Sequence, residues 1–184
     1  MSLKNAAKDI EYVLVNEEEI ENKIKEIAEA LNAYYKDEEV IAVCILKGSV
    51  PFYWDLIKKL SFPVKFDFMC VSSYGSGTVS TGEIKILKDL VVDIEGKNVL
   101  VVEDILDSGN TLYSLKEILN KRRPKDVKIC TLLDKPERRT KEIQADFLGF
   151  AIEDKFVVGY GLDYDEKYRQ LPYIGVLKES VYSK

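Results

Sequence analysis

Apolar positions recur along this 184-residue chain with two periods, and the switches between them mark alternating helices and strands. Ile20, Ile24, Ile27, Ala28 and Leu31 fall on one side of a helix. Its first turn carries Glu17, Glu18 and Glu19, which suit the positive end of a helix dipole. Val40–Leu46 is apolar without a break, the pattern of a strand buried on both faces. A helix is predicted over residues 49–60, with Pro51 tolerable in its first turn. Residues 64–71 alternate around Lys65 and Asp67 and predict a strand; residues 83–90 and, after a turn at 95–97, residues 98–102 predict two more. A helix over about 111–119 and strands over 127–133 and 156–158 complete the pattern. Strands alternating with helices imply right-handed crossovers and a mostly parallel sheet flanked by helices. No repeat, low-complexity tract or linker interrupts it, so one α/β domain over residues 1–184 is expected. Residues 74–82 carry too much glycine and hydroxyl to pack, and a mobile loop is predicted there.

Composition narrows the function classes. Hydrophobic residues make up 46% and charged residues 32%, an ordinary globular balance that leaves room for a continuous core. The formal net charge of -5 gives no global attraction for nucleic acid or an anionic membrane, so neither is an expected partner. An anionic substrate must instead meet a local cluster of cations or a metal. The chain has no histidine, which excludes histidine ligation and histidine acid–base catalysis. Cys44, Cys70 and Cys130 are widely spaced, and Cys44 and Cys130 sit in apolar runs as small buried hydrophobes do. With no long apolar span or leader pattern, a reduced, cytoplasmic protein is expected.

Ligands of open α/β sheets bind outside the carboxyl ends of the strands. Four apolar runs here end in polar residues: Leu46 before Lys47 and Gly48, Val102 before Glu103 and Asp104, Leu133 before Asp134 and Lys135, and Val158 before residues 159–163. The strongest signal is residues 101–112, VVEDILDSGNTL. Glu103, Asp104 and Asp107 repel one another unless cations or hydroxyl donors share their site; a sugar diol with a hard cation nearby would satisfy them. Asp107, Ser108, Gly109, Asn110 and Thr111 follow as consecutive backbone donors at a helix start, a phosphate cradle. The plainer alternative makes Asp107 or Ser108 a helix cap and the acids solvated.

Residues 101–112 resemble the phosphoribosyl-pyrophosphate motif of the type I phosphoribosyltransferases. Leu46-Lys47-Gly48, Ser73-Tyr74 before the glycine-rich loop, Ser80-Thr81-Gly82, LLDK at 132–135, DKFVVGYGLD at 154–163 and YRQLPYIG at 168–175 resemble its hypoxanthine-guanine branch, in order. Asn110 and the LPYIG stretch at 171–175 are similar to the compact bacterial form. The resemblance implies a parallel sheet with a small hood over the strand ends, purine salvage, and transfer of ribose 5-phosphate from 5-phosphoribosyl-1-pyrophosphate to hypoxanthine or guanine. The products would be IMP or GMP and pyrophosphate, with magnesium as cofactor and a homo-oligomer, dimer or tetramer, as the assembly.

By the same resemblance, Glu103 and Asp104 hold the ribose hydroxyls beside magnesium, and residues 107–111 cradle the 5-phosphate. Asp107 also serves as general base or proton partner of purine N7. Lys47 and Gly48 contact pyrophosphate, often through a cis peptide; Arg169 clamps it, and Asp163 is a ligand of a second magnesium. Lys135 donates to the purine 6-oxygen, Phe156 stacks on the ring, Val157 offers backbone contacts, and Ser73 and Tyr74 close over the reaction. Asp134 departs from the animal pattern, which has an apolar residue before the lysine. Each residue also has a duller role: Lys47 and Lys135 as solvated strand ends, Phe156 as core, Asp163 and Arg169 as a surface ion pair. An RNA-binding regulator on the same fold would need a basic surface, against which the sequence pI near 5.0 speaks.

Overall fold

A computed structural model describes residues 3–73 and 84–183. In chain order the elements are α1 (Leu3–Ala6), β1 (Ile10–Val15), α2 (Glu17–Tyr35), β2 (Val40–Leu46), α3 (Val50–Ile57), β3 (Val64–Ser73), β4 (Ile84–Lys88), β5 (Asn98–Leu106), α4 (Asn110–Asn120), β6 (Asp126–Asp134), β7 (Phe147–Ala151), β8 (Val157–Val158), β9 (Ile174–Leu177) and α5 (Glu179–Tyr182). They form a six-stranded sheet in the order β4-β3-β2-β5-β6-β7 and a three-stranded sheet in the order β1-β9-β8. Only the β3–β4 pairing is antiparallel in the larger sheet; β1–β9 and β8–β9 are both antiparallel in the smaller one.

The apolar runs of β2, β5 and β6 are apolar throughout because helices cover both faces of the sheet. Val40, Ala42 and Cys44 with Leu100 and Val102 pack toward α2 and α3, burying Ile20, Ile24, Leu31, Phe52 and Leu56. Ile41, Val43 and Ile45 with Val99 and Val101 pack the other way, against Leu112, Leu115 and Leu119 of α4. Local signals agree with this packing. Asn16 caps α2 in a reciprocal box: its side chain accepts from Glu19 N–H at 2.9 Å, and the Glu19 carboxylate accepts from Asn16 N–H at 2.8 Å. Cys44 and Cys130 are buried, and burial pushes the Cys44 thiol up to about 11. No described helix is long and apolar enough to cross a membrane.

Four expectations are corrected. The 156–158 run is not a strand of the parallel sheet; Val157–Val158 belongs to the smaller sheet, which the sequence reading did not foresee as a separate sheet. The strands β1, β7 and β9 were not anticipated. β5 continues to Leu106 and β6 to Asp134, so Glu103 and Asp104 lie on a strand rather than beyond one. Helix α3 stops at Ile57 instead of residue 60. The predicted loop at 74–82, Tyr74 included, lies outside the described residues; Ser73 ends β3, its backbone in register with Ile84.

A polar contact ties the smaller sheet to a helix on the larger one, and two others tie the hood to the segment that leads into β1. Tyr160 Oη donates to Asp55 of α3 at 2.6 Å. Tyr168 Oη donates to Asp9 at 2.9 Å, and Lys178 Nζ donates to the Lys8 carbonyl at 2.6 Å. This hood therefore cannot be assembled until both chain ends have met.

Candidate active site

The chain leaves β2 toward β3 on one side of the sheet and returns to β5 on the other, so the crevice at the carboxyl ends of β2 and β5 is a topological switch point. A cis peptide bond joins Leu46 to Lys47 there, one bond before the Lys47–Gly48 segment. The approach at Gly48 is very close: an added Cβ would fall 1.7 Å from Asp104 Oδ2. Gly161 of the hood, at φ +97, would place a Cβ 1.9 Å from the Gly48 carbonyl oxygen. Two glycines thus let the end of β2, the Asp104 carboxylate and the hood loop converge.

Glu103 and Asp104 sit partly buried at the floor. Glu103 Oε2 is shielded from solvent without a hydrogen-bond partner, whereas Asp104 Oδ1 accepts from Ile105 N–H at 2.7 Å. Burial, then the Asp104 charge, pushes the Glu103 carboxyl well above the usual range. Burial pushes Asp104 up to about 6, opposed by the Ile105 N–H and by Arg169. The pair is an oxygen-donor set that the more distant Arg169 charge only partly offsets, and a hard divalent cation or a diol would fit it. Among the described residues no three histidine, cysteine or acidic side chains gather into a metal-binding group.

A carboxyl with a raised folded pKa costs stability as it ionises. The destabilising contribution of Asp104 is absent near the ordinary carboxyl value of 3.8 and grows as pH rises toward about 6. Asp104→Asn should therefore raise the melting temperature of the unliganded protein near neutrality and scarcely change it near pH ~4, while weakening function. Calorimetry at the two pH values checks this, and an equal shift at both would contradict it.

Ser108, Gly109 and Thr111 line a cavity of about 210 Å³ together with Glu103 and Asp107. Gly109, at φ +85, caps α4 without a side-chain hydrogen bond. The helix-cap alternative for Asp107 is therefore not what the structure shows. Its Oδ1 lies 2.7 Å from Arg138 Nε instead, and its side chain is 44% exposed. Ser108 Oγ accepts from the Asn110 amide side chain at 3.2 Å.

Just past the end of β6, Lys135 is only 7% exposed, unlike a solvated strand end. Its ammonium lies 3.4 Å from Asp154 Oδ1, which Arg138 shares at 3.4 Å. Phe156 is 37% exposed and not core. One face stacks on Tyr182 with ring centres 4.8 Å apart, and Tyr164 meets it edge-on at 5.5 Å. Val157 is buried in β8 beside it.

Arg169 and Asp163 form the foreseen ion pair, at 2.8 Å, but the guanidinium also donates to the Gly161 carbonyl at 2.7 Å. Lys47 is exposed and pairs with Glu166 at 2.9 Å, and Arg169 reaches the same carboxylate at 3.3 Å. Glu166, Arg138, Arg139, Gly161 and Tyr182 escaped the sequence reading. Only the glycine offered a signal, its place in a Gly-x-Gly turn.

An acid pair on a strand, a glycine-led turn into a helix and an arginine of a separate hood gather at one switch point of the sheet. The chain belongs to the phosphoribosyltransferase family: residues 14–165 match its phosphoribosyl transferase domain. Within that family it is 55% identical over 174 residues to the hypoxanthine-guanine phosphoribosyltransferase of Bacillus subtilis (strain 168), covering 95% of this chain and 97% of that one. It is 52% identical over 96% of its length to the bifunctional protein TilS/HprT of Listeria monocytogenes serotype 4b, of which it spans 27%. A crystal structure of a hypoxanthine phosphoribosyltransferase from Staphylococcus aureus superposes with a TM-score of 0.96 at 49% identity, covering 100% of both chains.

Proposed function

We propose that this chain transfers ribose 5-phosphate from 5-phosphoribosyl-1-pyrophosphate to hypoxanthine or guanine, giving IMP or GMP and pyrophosphate, in cytoplasmic purine salvage. The reading is supported by a cavity that Glu103, Asp107, Ser108, Gly109 and Thr111 line together, and by the buried Lys135, whose N–H donates to the Leu106 carbonyl at 2.9 Å and whose ammonium shares Asp154 with the Arg138 that pairs with Asp107.

Glu103 and Asp104 take the two ribose hydroxyls as acceptors, and their charge favours positive character at C1 as the bond to pyrophosphate breaks. The backbone of residues 107–111 holds the 5-phosphate. Arg169 and Lys47 meet the leaving diphosphate, which replaces Glu166 as their partner. The purine forms its bond to C1 and gives up the N7 proton to the Asp107 carboxylate. Lys135 donates to the 6-oxygen, Phe156 offers a ring face, and Val157 its backbone. Ser73 and Tyr74 belong to the segment that would exclude water. Magnesium would be held by Glu103, Asp104 and Asp163, and when bound it neutralises charge on the diphosphate oxygens. Turnover should accordingly require a divalent cation. Full activity in excess chelator would remove magnesium from the account.

An amine at purine C6 would point donors at an ammonium that is itself only a donor, so adenine should be a poor substrate. Lys135→Ala should raise the KM for hypoxanthine at least about tenfold and leave the KM for 5-phosphoribosyl-1-pyrophosphate nearly unchanged. Product detection with hypoxanthine, guanine, xanthine, adenine and uracil tests the whole reading. Equal use of adenine and hypoxanthine would defeat it. A homo-oligomer, dimer or tetramer, completes the proposal, and sedimentation of the purified protein tests that part.

A further inference from the structure

Asp134 ends β6, and the activity above gives its carboxylate no task. Its partner is Arg139. The two side chains form an ion pair and are only 14% and 16% exposed. The same guanidinium donates through Nη1 to the main-chain carbonyl of Asp107 and, at 3.3 Å, to that of Leu106. Thr140 continues the grip: its N–H donates to the Ser108 carbonyl at 2.9 Å and its hydroxyl donates to the same oxygen at 3.1 Å. Arg139 and Ile143 also stand behind Gly109, where an added Cβ would fall 2.7 Å from Ile143 Cγ2 and 3.1 Å from Arg139 Cδ.

Peptide geometry gives these contacts a consequence. In a trans peptide the carbonyl and the following N–H point in opposite directions. Drawing the carbonyls of residues 106, 107 and 108 toward Arg139 and Thr140 turns the N–H groups of residues 107, 108 and 109 away from them. A phosphate cradle needs its donors turned the same way before the anion arrives. Within the turn Ser108 Oγ accepts from the Asn110 N–H at 3.4 Å and from its amide side chain at 3.2 Å, bonds that leave the carbonyls of residues 106–108 to be held from outside it.

We propose that Asp134, Arg139 and Thr140 are positioning residues that hold the 106–109 backbone with its amides presented to the 5-phosphate, Asp134 serving to orient the guanidinium. The inference rests on the reading that this turn holds the phosphate of 5-phosphoribosyl-1-pyrophosphate. A guanidinium suits the task because its planar fork can bond a carboxylate and two carbonyls at once, which an ammonium does less well.

The test uses Asp134→Asn, Arg139→Gln, their double variant, Arg139→Lys and Thr140→Val in the full chain. Both substrates are varied in steady-state assays, and 5-phosphoribosyl-1-pyrophosphate is titrated calorimetrically so that the cradle is read without turnover. In Arg139→Gln the KM and Kd for 5-phosphoribosyl-1-pyrophosphate should rise about tenfold, while the KM for hypoxanthine stays within about twofold. Arg139→Lys should recover little of this. The double variant should be no worse than Arg139→Gln, since the two residues act as one unit. Thr140→Val should show the same split more weakly, and it carries the test if the arginine variants fail to fold. A general structural role predicts lowered melting temperature with both KM values moving together or neither moving, and that outcome overturns the clamp. Absence of transfer by the native protein would count against the proposed function alone, because the calorimetric comparison still decides the clamp.

Discussion

Replacing Asp107 by asparagine should lower turnover about a hundredfold or more while leaving affinity for 5-phosphoribosyl-1-pyrophosphate close to native. Asparagine matches aspartate in size, and its amide oxygen can keep a polar contact with Arg138 Nε, which lies 2.7 Å from Asp107 Oδ1. The main-chain carbonyl that Arg139 grips is untouched by the substitution. What disappears is the capacity to take a proton at neutral pH. A helix-capping role would let asparagine serve equally well, but the cap of α4 is Gly109 and uses no side chain. Single-turnover rates and calorimetric affinity on this one variant separate the possibilities. Near-native chemistry would return the carboxylate to an electrostatic pairing with Arg138 and nothing more.

Gly161→Ala should be as damaging from a position that touches no proposed reacting atom. Its φ of +97 is unfavourable for any side chain, and the added methyl would fall 1.9 Å from the Gly48 carbonyl oxygen and 3.0 Å from Pro51 Cδ. Backbone atoms cannot step aside as a flexible side chain can. The hood loop must move outward, carrying Arg169, which donates to the Gly161 carbonyl at 2.7 Å, and the Asp163 paired with it. A shift of about 1 Å in such groups can cost about a hundredfold in rate. Backbone strain and overpacking together should lower stability by about 3 kcal/mol. Gly96→Ala is the control: its φ is also positive, at +67, but nothing lies within 4 Å of the added Cβ. It should lose only about 1 kcal/mol and keep its kinetics. Native-like turnover in Gly161→Ala would mean that the close approach of hood and strand end plays no part in activity.

The two substitutions differ in how far the sequence foretold them. Asp107 was legible because its chemistry is local: an acidic run on a strand, then a glycine and hydroxyls opening a helix, within residues 101–112. The importance of Gly161 becomes visible only when residue 48 is brought against it, more than a hundred positions away in the chain. Sequence also left Lys135 and Phe156 each with two readings. The fold separated them by burying one and leaving the other 37% exposed.

By itself the sequence determined the parallel layer. Unbroken apolar runs such as Val40–Leu46 have no polar face to offer solvent, so they must be covered on both sides, and the helical periods beside them supply the cover. It determined the acid pair and the cradle for the same reason of short range. The resemblance implied a hood, but tertiary structure alone decided which strands build it. Strand β9 has four residues and β8 two, too few for a periodic signal, and β1 earns its partner only when Ile10 meets Leu177. It also decided what clamps the cradle, because Arg139 bonds main-chain carbonyls, and a carbonyl carries no residue identity for a sequence to display.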